Sequence, residues 1–389
     1  MKIPCLRLSL TFALCALPLA GVAQDSLPLA HHVSGNVPVQ LPSRELAAER
    51  PRIEPVTAAQ PQMHTPAAHN WKLQATLPGA VIHDLSFPSP LIGYAAAELG
   101  QVWKTTDGGA TWTEILNLGA PYYFYGVDTL PNNVVVVSGF YDSSSFYSLI
   151  RWSKDGGQTW TRDIVVTSTG RAQRVRFPYR NNGLVMDSVG GSSGNIDQVT
   201  TDGGLLPTEW TTFVDNPSGG WFGLQYSYLS NFIVRASGIN FCTSINGGGQ
   251  WTCRPSVDSV FDGPVFFLNT NNNDGWVGGG EIGPDVEGWV HVTTDGGKTW
   301  SARTLDGPWP IRELLFLNAK TGWAAGGNLY TGVGGIYFSG DGGQTWSVDA
   351  TTNAEMDACA DQPVGTGTQV WCAGYDSSFN GVIYSVTVK

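Results

Sequence analysis

The chain has 389 residues, of which 11% are aromatic and only 14% are charged, and its formal net charge is −11 at pH 7. A sparse and acidic set of charges argues against nucleic acid or an anionic membrane surface as the main partner. The 49 glycines and 15 tryptophans, together with short alternating segments and no sustained helical periodicity, predict an all-β chain with many tight turns.

The first 23 residues have the pattern of a secretory signal peptide. Lys2 and Arg7 flank the start of an apolar stretch over residues 8–19, and small residues follow at Gly21 and Ala23. This pattern predicts cleavage after Ala23 and a secreted or periplasmic mature protein. No later apolar run is long enough to span a bilayer, so membrane insertion is not expected.

Residues 24–69 form a second region, which is rich in proline and alanine and poor in aromatic residues. Such a segment buries too little apolar surface to offset its ordering entropy, so we expect a disordered linker. Residues 70–389 are then the folded domain.

A short motif recurs through that domain. Four copies are clear: "TTDGGATW" from Thr105, "SKDGGQTW" from Ser153, "TTDGGKTW" from Thr293 and "SGDGGQTW" from Ser339. Two further copies are degraded, and the six residues at the acidic position are Asp107, Asp155, Asp202, Asn246, Asp295 and Asp341. A period of about 40 to 50 residues filled with short strands is typical of one β-propeller blade.

The two ends of the domain complement one another. The C-terminal segment over 370–388 repeats a second and third strand with no motif after them, whereas "NWKLQATLPG" from Asn70 repeats a fourth strand with no motif before it. We therefore expect a seven-bladed β-propeller over 70–389 that is closed by pairing of the N- and C-terminal strands, which removes exposed sheet edges.

The motif itself is explained by folding. Gly108 and Gly109 supply the positive φ angles of a hairpin between the third and fourth strands. The Asp107 carboxylate is placed to accept backbone amides of the turn, Thr111 adds a hydroxyl contact, and Trp112 packs between sheets. The six acidic-position residues are accordingly predicted to be structural.

The SxDxGxTW motif and the "GWAAGG" pattern before it resemble the Asp-box (BNR) repeats of β-propellers. Their spacing looks most like that of the photosystem II assembly and stability factor family and its bacterial relatives, over roughly residues 70–389. That resemblance implies a non-catalytic assembly role through partner proteins. Sialidases, xyloglucanases and sortilin-type receptors also carry the box, so the resemblance is informative about fold and much less about function. The acidic chain lacks the arginine-rich patch associated with the family, so the resemblance does not predict which partner this chain binds.

The cysteines after the signal peptide are Cys242, Cys253, Cys359 and Cys372. Two close pairs in an oxidising compartment predict two disulfides, Cys242 with Cys253 and Cys359 with Cys372. A zinc-type CxxC spacing is absent and most histidines lie in the linker, so neither a metal site nor a cofactor is expected.

Function is expected on the loop face opposite the boxes, where aromatic residues are concentrated. The candidate ligand-binding residues are Tyr122, Tyr123, Tyr125, Tyr141, Arg174, Trp221, Phe222, Glu281, Trp309 and Arg312. Two questions stay open at this point. The aromatic residues either line a binding rim or pack between blades, and the arginines either form an anion site in the channel or make salt bridges.

No catalytic residue is predicted. The sialidase pattern is missing, because there is no RIP motif and no arginine between Arg52 and Arg151. A glycosidase pair could still be drawn from Asp142, Glu281, Asp285 and Glu287. The sequence therefore favours a secreted, monomeric, non-catalytic binding or assembly propeller with an extracytoplasmic protein or polysaccharide as partner, and a glycoside hydrolase is the alternative.

Overall fold

The structure is a computed structural model that describes residues 69–142, 146–167, 170–179, 182–189, 195–200, 210–214, 225–229, 232–237, 240–244, 252–255, 262–268, 273–280, 288–305, 309–328 and 332–389. All regular secondary structure in these ranges is β-strand, which confirms the all-β prediction. The described part of the chain has no helix that is long and apolar enough to cross a membrane. The predicted signal peptide and all but the last residue of the predicted linker lie outside the described residues.

Within the described ranges, 28 strands form seven four-stranded antiparallel sheets. Sheet I contains β2 (Ile82–Ser86), β3 (Gly93–Ala97), β4 (Gln101–Thr105) and β5 (Thr113–Asn117). Sheet II contains β6 (Tyr122–Leu130), β7 (Val134–Asp142), β8 (Phe146–Ser153) and β9 (Ile164–Thr167). Sheet III contains β10 (Gly170–Tyr179), β11 (Asn182–Val189), β12 (Asn195–Thr200) and β13 (Trp210–Val214).

The remaining four sheets follow the same order. Sheet IV contains β14 (Gln225–Leu229), β15 (Phe232–Ser237), β16 (Asn240–Ser244) and β17 (Thr252–Pro255). Sheet V contains β18 (Asp262–Phe267), β19 (Gly275–Gly280), β20 (Gly288–Thr293) and β21 (Ser301–Thr304). Sheet VI contains β22 (Ile311–Phe316), β23 (Gly322–Asn328), β24 (Val333–Ser339) and β25 (Ser347–Thr352). Sheet VII contains β26 (Ala354–Val364), β27 (Gly367–Asp376), β28 (Gly381–Val388) and, at its outer edge, β1 (Lys72–Leu77).

Sheet VII joins the two ends of the domain. β1 pairs with β28 from Lys72 opposite Ser385 to Leu77 opposite Gly381. The first strand of each sheet contacts the first strand of the next one, and β26 of sheet VII contacts β2 of sheet I. The first strands of the sheets therefore converge on a common centre.

Glycines let the sheets approach one another near this centre. A Cβ atom on Gly327 of β23 would lie 2.5 Å from the Cα of Glu355 in the next sheet, and one on Gly126 of β6 would lie 2.8 Å from the backbone nitrogen of Val175. Farther out, large aromatic pairs fill the space between sheets. Trp276 stacks on Phe316 with ring centroids 3.6 Å apart. These glycines are thus a packing requirement rather than a sign of flexibility.

The acidic residue makes the same hydrogen bonds to the threonine in each described copy of the box. The Asp107 carboxylate accepts the Thr111 backbone N–H at 2.9 Å and the Thr111 hydroxyl at 2.6 Å, while Gly108 and Gly109 have φ angles of 75° and 93°. The Trp112 indole donates to the Gly109 carbonyl oxygen at 3.0 Å. These hydrogen bonds, that from the Thr111 hydroxyl foremost, lower the pKa of Asp107 to about 2. The carboxylate is therefore ionised and fully used within its own turn.

Asp155, Asp295 and Asp341 accept the backbone N–H and the hydroxyl of the threonine four residues later in the same way. The degraded boxes at Asp202 and Asn246 lie outside the described residues. The disulfide between Cys359 and Cys372 is confirmed, with an S–S distance of 2.00 Å. Cys242 lies opposite Cys253 in the pairing of β16 with β17. The side chains of these two cysteines are outside the described part of the structure, so the disulfide between them stays a prediction.

Candidate functional site

Polar side chains gather where the first strands begin, at the end of the sheets opposite the boxes. His83 lies near the start of β2, Tyr125 near the start of β6 and Asp357 near the start of β26. Glu98 follows the end of β3, and Tyr375 lies near the end of β27. We call these five residues the mouth cluster. They come from three neighbouring sheets, VII, I and II.

His83 is the hub of the mouth cluster. Its Nδ1 atom lies 3.2 Å from Asp357 Oδ2 and its Nε2 atom 3.4 Å from Glu98 Oε1. The imidazole stacks on Tyr125 with centroids 3.9 Å apart and 9° between the planes, and Tyr375 meets it edge-on at 5.9 Å. The Tyr125 hydroxyl donates to Glu98 Oε1 at 3.3 Å. Both imidazole nitrogens and the Glu98 carboxylate thus have partners inside the cluster.

This arrangement changes the protonation of its members. Burial lowers the pKa of His83, but the hydrogen bonds to Asp357 and Glu98 outweigh it, so the pKa of the imidazole is raised. Burial raises the pKa of Glu98, yet the His83 contact more than offsets it and the pKa of that carboxyl is lowered. Burial and then nearby carboxylates raise the pKa of Tyr125 and that of Tyr375. The cluster therefore presents an ionised carboxylate and two protonated phenols around an imidazole at neutral pH.

Ion pairs fill the centre one layer below the mouth cluster. Asp84 of β2 accepts hydrogen bonds from both nitrogens of the Arg176 fork, at 2.6 and 3.0 Å, and from Arg174. Arg174 Nη2 also lies 2.9 Å from the Asp357 carbonyl oxygen and 3.5 Å from Glu313 Oε2. Burial raises the pKa of Asp84, but the charges of Arg174 and Arg176 lower it overall. Of the two interpretations of these arginines, the structure shows salt bridges, and Arg174 spans the centre of the molecule.

Two further buried acids lie at this level. Burial raises the pKa of Glu313 to about 7, with Arg174 partly opposing the shift. It raises the pKa of Asp128 to about 6 despite Arg176 and the backbone N–H groups of Phe177 and Thr129. No group of three or more His, Cys, Asp or Glu side chains within the described residues is placed to hold a metal ion.

Four of the predicted aromatic residues come together at the start of sheet II. The Tyr122 hydroxyl donates to Asp163 at 3.1 Å, and its ring meets Tyr141 edge-on at 4.9 Å. Tyr123 stacks on Phe140 at 5.1 Å. Tyr125 belongs to the mouth cluster. Tyr122, Tyr123 and Tyr141 therefore lie beside that cluster, on the first two strands of sheet II.

The other candidates are distributed differently. Trp309 is only 3% exposed and packs at 5.3 Å from Tyr337 between sheets, so it adds nothing to the surface. Arg312 Nη2 pairs with Glu355 Oε1 at 3.0 Å. Trp221, Phe222 and Glu281 lie outside the described residues, as do Asp285 and Glu287. Asp142 ends β7, and its backbone N–H donates to the Pro121 carbonyl oxygen at 2.9 Å.

Sequence reasoning missed His83, Glu98, Asp357 and Tyr375. A signal was present in "VIHDLSF", where adjacent His83 and Asp84 interrupt the start of a first strand that is otherwise apolar. Polar residues at such a position lie near the neighbouring first strands, where they need partners when buried. Glu98, Asp357 and Tyr375 carry no comparable local signal.

No family model matches the chain. A xyloglucanase of Acetivibrio thermocellus, Xgh74A, is 26% identical over 241 residues, which cover 58% of this chain and 25% of the relative. The chain thus spans about a quarter of the curated relative that it matches.

Solved structures of similar fold include two of YCF48 and one of an ancestral GH74 enzyme. YCF48 from Cyanidioschyzon merolae has a TM-score of 0.57 at 20% identity over 81% of this chain and 98% of that one. YCF48 bound to D1 peptide has a TM-score of 0.59 at 19% identity over 82% and 97%. An ancestral GH74 enzyme has a TM-score of 0.55 at 14% identity over 81% of this chain and 47% of that one. Together with the arrangement of the sheets, these likenesses show that the chain has a β-propeller fold.

Proposed function

We propose that the seven sheets are the blades of one closed seven-bladed propeller. The contact of each first strand with the next, the contact of β26 with β2 and the pairing of β1 with β28 support this arrangement. The resemblance to the Asp-box group, with its photosystem II assembly and stability factor family, is part of the same proposal. Such a ring is rigid, and its two faces differ in chemistry.

We infer that the protein is a non-catalytic binding or assembly propeller that uses the face carrying the mouth cluster. The observation that carries this inference is the position of His83 between the two carboxylates of the cluster, since Glu98 and Asp357 both contact its ring. A glycosidase needs two carboxyl groups that flank the scissile bond, whereas Glu98 and Asp357 flank the His83 ring. A rigid set of aromatic and hydrogen-bonding side chains is instead suited to recognition, since little entropy is lost on binding.

The location and partner class are part of the proposal. The Cys359–Cys372 disulfide and the leader-like N-terminus support an extracytoplasmic protein. The net charge of −11 favours a protein or polysaccharide over nucleic acid. One YCF48 structure is a complex with a peptide, which supports a protein partner. We propose that the protein acts as a monomer, without a cofactor and without inserting into a membrane.

Glycoside hydrolysis is the second candidate function. The likeness to a xyloglucanase and to a GH74 enzyme supports it. In this case the partner is a polysaccharide, and a pair of carboxyl groups on the same face acts on it. The two candidates therefore share a surface and differ in whether a bond is broken.

Affinity capture from an envelope extract, run beside a glycan array, tests the surface. We expect the double variant Tyr123→Ala, Tyr141→Ala to lose bound material that the wild type retains. Leu91→Ala is the matched control, because Leu91 is 60% exposed in the loop between β2 and β3 on the box face. Equal recovery by the folded double variant and the wild type would place binding elsewhere.

A second measurement separates the two functions. The pure wild type is incubated with xyloglucan and other β-glucans, and reducing ends are counted. We expect no turnover. Turnover that disappears in Glu98→Gln or Asp357→Asn, at unchanged melting temperature, would establish the hydrolase instead.

A further inference from the structure

Two exposed apolar side chains occupy equivalent places in neighbouring sheets. Leu99 lies in the loop between β3 and β4 of sheet I, and Phe379 lies in the loop between β27 and β28 of sheet VII. Leu99 is 38% exposed and Phe379 is 55% exposed. Both loops join a second strand to a third strand, so both tips are on the face of the mouth cluster.

Both residues adopt an unfavourable backbone conformation. Leu99 and Phe379 each have a φ angle of 59°, in the left-handed region. This conformation is costly for a bulky L-residue, whereas glycine or asparagine adopts it readily. Folding alone therefore favours a smaller residue at both tips, and conformational strain of this kind tends to occur at ligand-binding positions.

The surrounding loops hold the two tips in place. Asp376 Oδ1 accepts the backbone N–H groups of Ser378 and Asn380 at 2.9 Å each, and the Phe379 N–H donates to the Asp376 carbonyl oxygen at 2.9 Å. On the other tip, the Glu98 N–H donates to the Val81 carbonyl oxygen at 3.1 Å. The apolar side chains are thus presented by ordered turns.

A continuous series of contacts connects the tips through the mouth cluster. Phe379 stacks on Tyr375 with centroids 6.5 Å apart, and Tyr375 meets His83 at 5.9 Å. His83 contacts Glu98, the residue before Leu99, at 3.4 Å. Two apolar tips therefore flank a floor on which the Glu98 side chain remains 31% exposed.

The floor is lined by two carboxylates against a single imidazole. Glu98 and Asp357 both face it, and His83 lies between them with both ring nitrogens in contact with these carboxylates. The neighbouring cations are engaged, since Arg312 pairs with Glu355 and Arg171 lies 5.2 Å over the Phe140 ring. The lowered pKa of Glu98 keeps its carboxylate charged at neutral pH.

We propose that Leu99, Phe379, Tyr375 and Glu98 form a docking site for a protein segment in which an arginine or lysine lies beside an apolar residue. The cation pairs with the Glu98 carboxylate and lies against the exposed ring of Phe379, which Tyr375 supports from below, while the apolar neighbour covers Leu99. This inference rests on the proposed binding function and specifies the partner. A neutral glycan makes no use of the carboxylate, and it is an alternative outcome of the test.

The test uses a random linear peptide library displayed on phage, selected on the full mature protein. We expect enrichment of peptides that combine arginine or lysine with leucine, isoleucine or valine. A synthetic consensus peptide and the same peptide with citrulline for arginine are then measured by fluorescence anisotropy. We expect citrulline to weaken binding about tenfold, because it removes the charge at nearly constant shape.

Variants of the protein complete the test. Leu99→Asn and Phe379→Asn should each weaken binding of the consensus peptide about tenfold, and Glu98→Gln about fivefold. The two asparagine variants should melt no lower than the wild type, because they relieve the left-handed strain. If Leu99 and Phe379 had only a structural role, the two variants would melt lower than the wild type and bind the peptide equally well. Leu91→Asn on the box face is the matched control and should change neither quantity.

Two outcomes would overturn the inference. The first is a selected consensus without cationic residues, and the second is cationic peptides whose binding is unchanged in Leu99→Asn and Phe379→Asn. In either case, loss of envelope or glycan ligands from the Tyr123→Ala, Tyr141→Ala variant would leave the binding function intact. Failure of that variant to lose any ligand would instead remove the proposed function itself.

Discussion

Asp349 of β25 accepts a 2.7 Å hydrogen bond from the indole N–H of Trp71, which lies 278 residues earlier in the chain. Asp349 also accepts the Trp323 indole N–H at 3.0 Å and the His69 backbone N–H at 2.9 Å, and its side chain is only 1% exposed. This carboxylate therefore anchors the segment before β1 to sheet VI, next to the sheet that β1 completes.

The first prediction follows from this contact. Asp349→Ala removes the partner of three N–H donors and of the His69 Nδ1 atom, and we expect it to lower the free energy of unfolding by about 2 to 4 kcal/mol. Urea denaturation followed by tryptophan fluorescence measures the change. Asp349→Asn is the control, because one amide oxygen remains as an acceptor and the loss should be smaller. An equally stable alanine variant would show that the anchor contributes nothing.

The second prediction concerns β1. Removal of residues 1–66 should leave the melting temperature unchanged, whereas removal of residues 1–78 deletes β1 and exposes the edge of β28. An exposed strand edge promotes association. We therefore expect the shorter protein to melt lower and to aggregate in light scattering. Identical behaviour of the two truncations would contradict closure of the ring through β1.

The sequence predicts local features better than the site. The box is encoded within eight residues, so the turn, its glycines and its tryptophan are all visible in the motif. The unmatched strand patterns at the two ends likewise indicate the position of β1. His83 and Asp357 meet across 274 residues, and no short pattern contains that contact. Trp309 shows the same limit. Its place in the sequence resembles that of an exposed loop residue, but its ring packs on Tyr337 of β24.

The third prediction is that the box contributes stability and not binding. Asp295 accepts backbone N–H groups from Lys298 and Thr299 and hydroxyl groups from Thr293 and Thr299. Because this turn is partly solvent-exposed, we expect Asp295→Ala to lower the free energy of unfolding by about 1 to 2 kcal/mol. The folded fraction should bind its ligand as the wild type does, as measured by anisotropy below the melting range. A selective loss of affinity at an unchanged melting temperature would assign the box a functional role.

The last prediction concerns pH. His291 of β20 is 2% exposed, neither ring nitrogen has a hydrogen-bond partner, and burial lowers its pKa from 6.5 to about 4. The unfolded chain therefore binds a proton at this residue between about pH 6.5 and 4, while the folded chain does not. Since stability rises with pH wherever the unfolded state binds more protons, His291 destabilises the fold on acidification through that window, by up to roughly 3 kcal/mol.

Glu313 acts in the opposite direction. Its folded pKa of about 7 lies above its ordinary value of 4.5, so its contribution to stability is present at low pH and is lost as the pH rises toward 7. The wild-type profile combines the two effects, and single variants separate them. The free energy of unfolding is measured by urea denaturation at several pH values from 4 to 7. His291→Leu should be less sensitive to acid than the wild type, whereas Glu313→Gln should be more sensitive. Parallel profiles for the wild type and His291→Leu would show that the imidazole is protonated in the folded protein or has found a partner there.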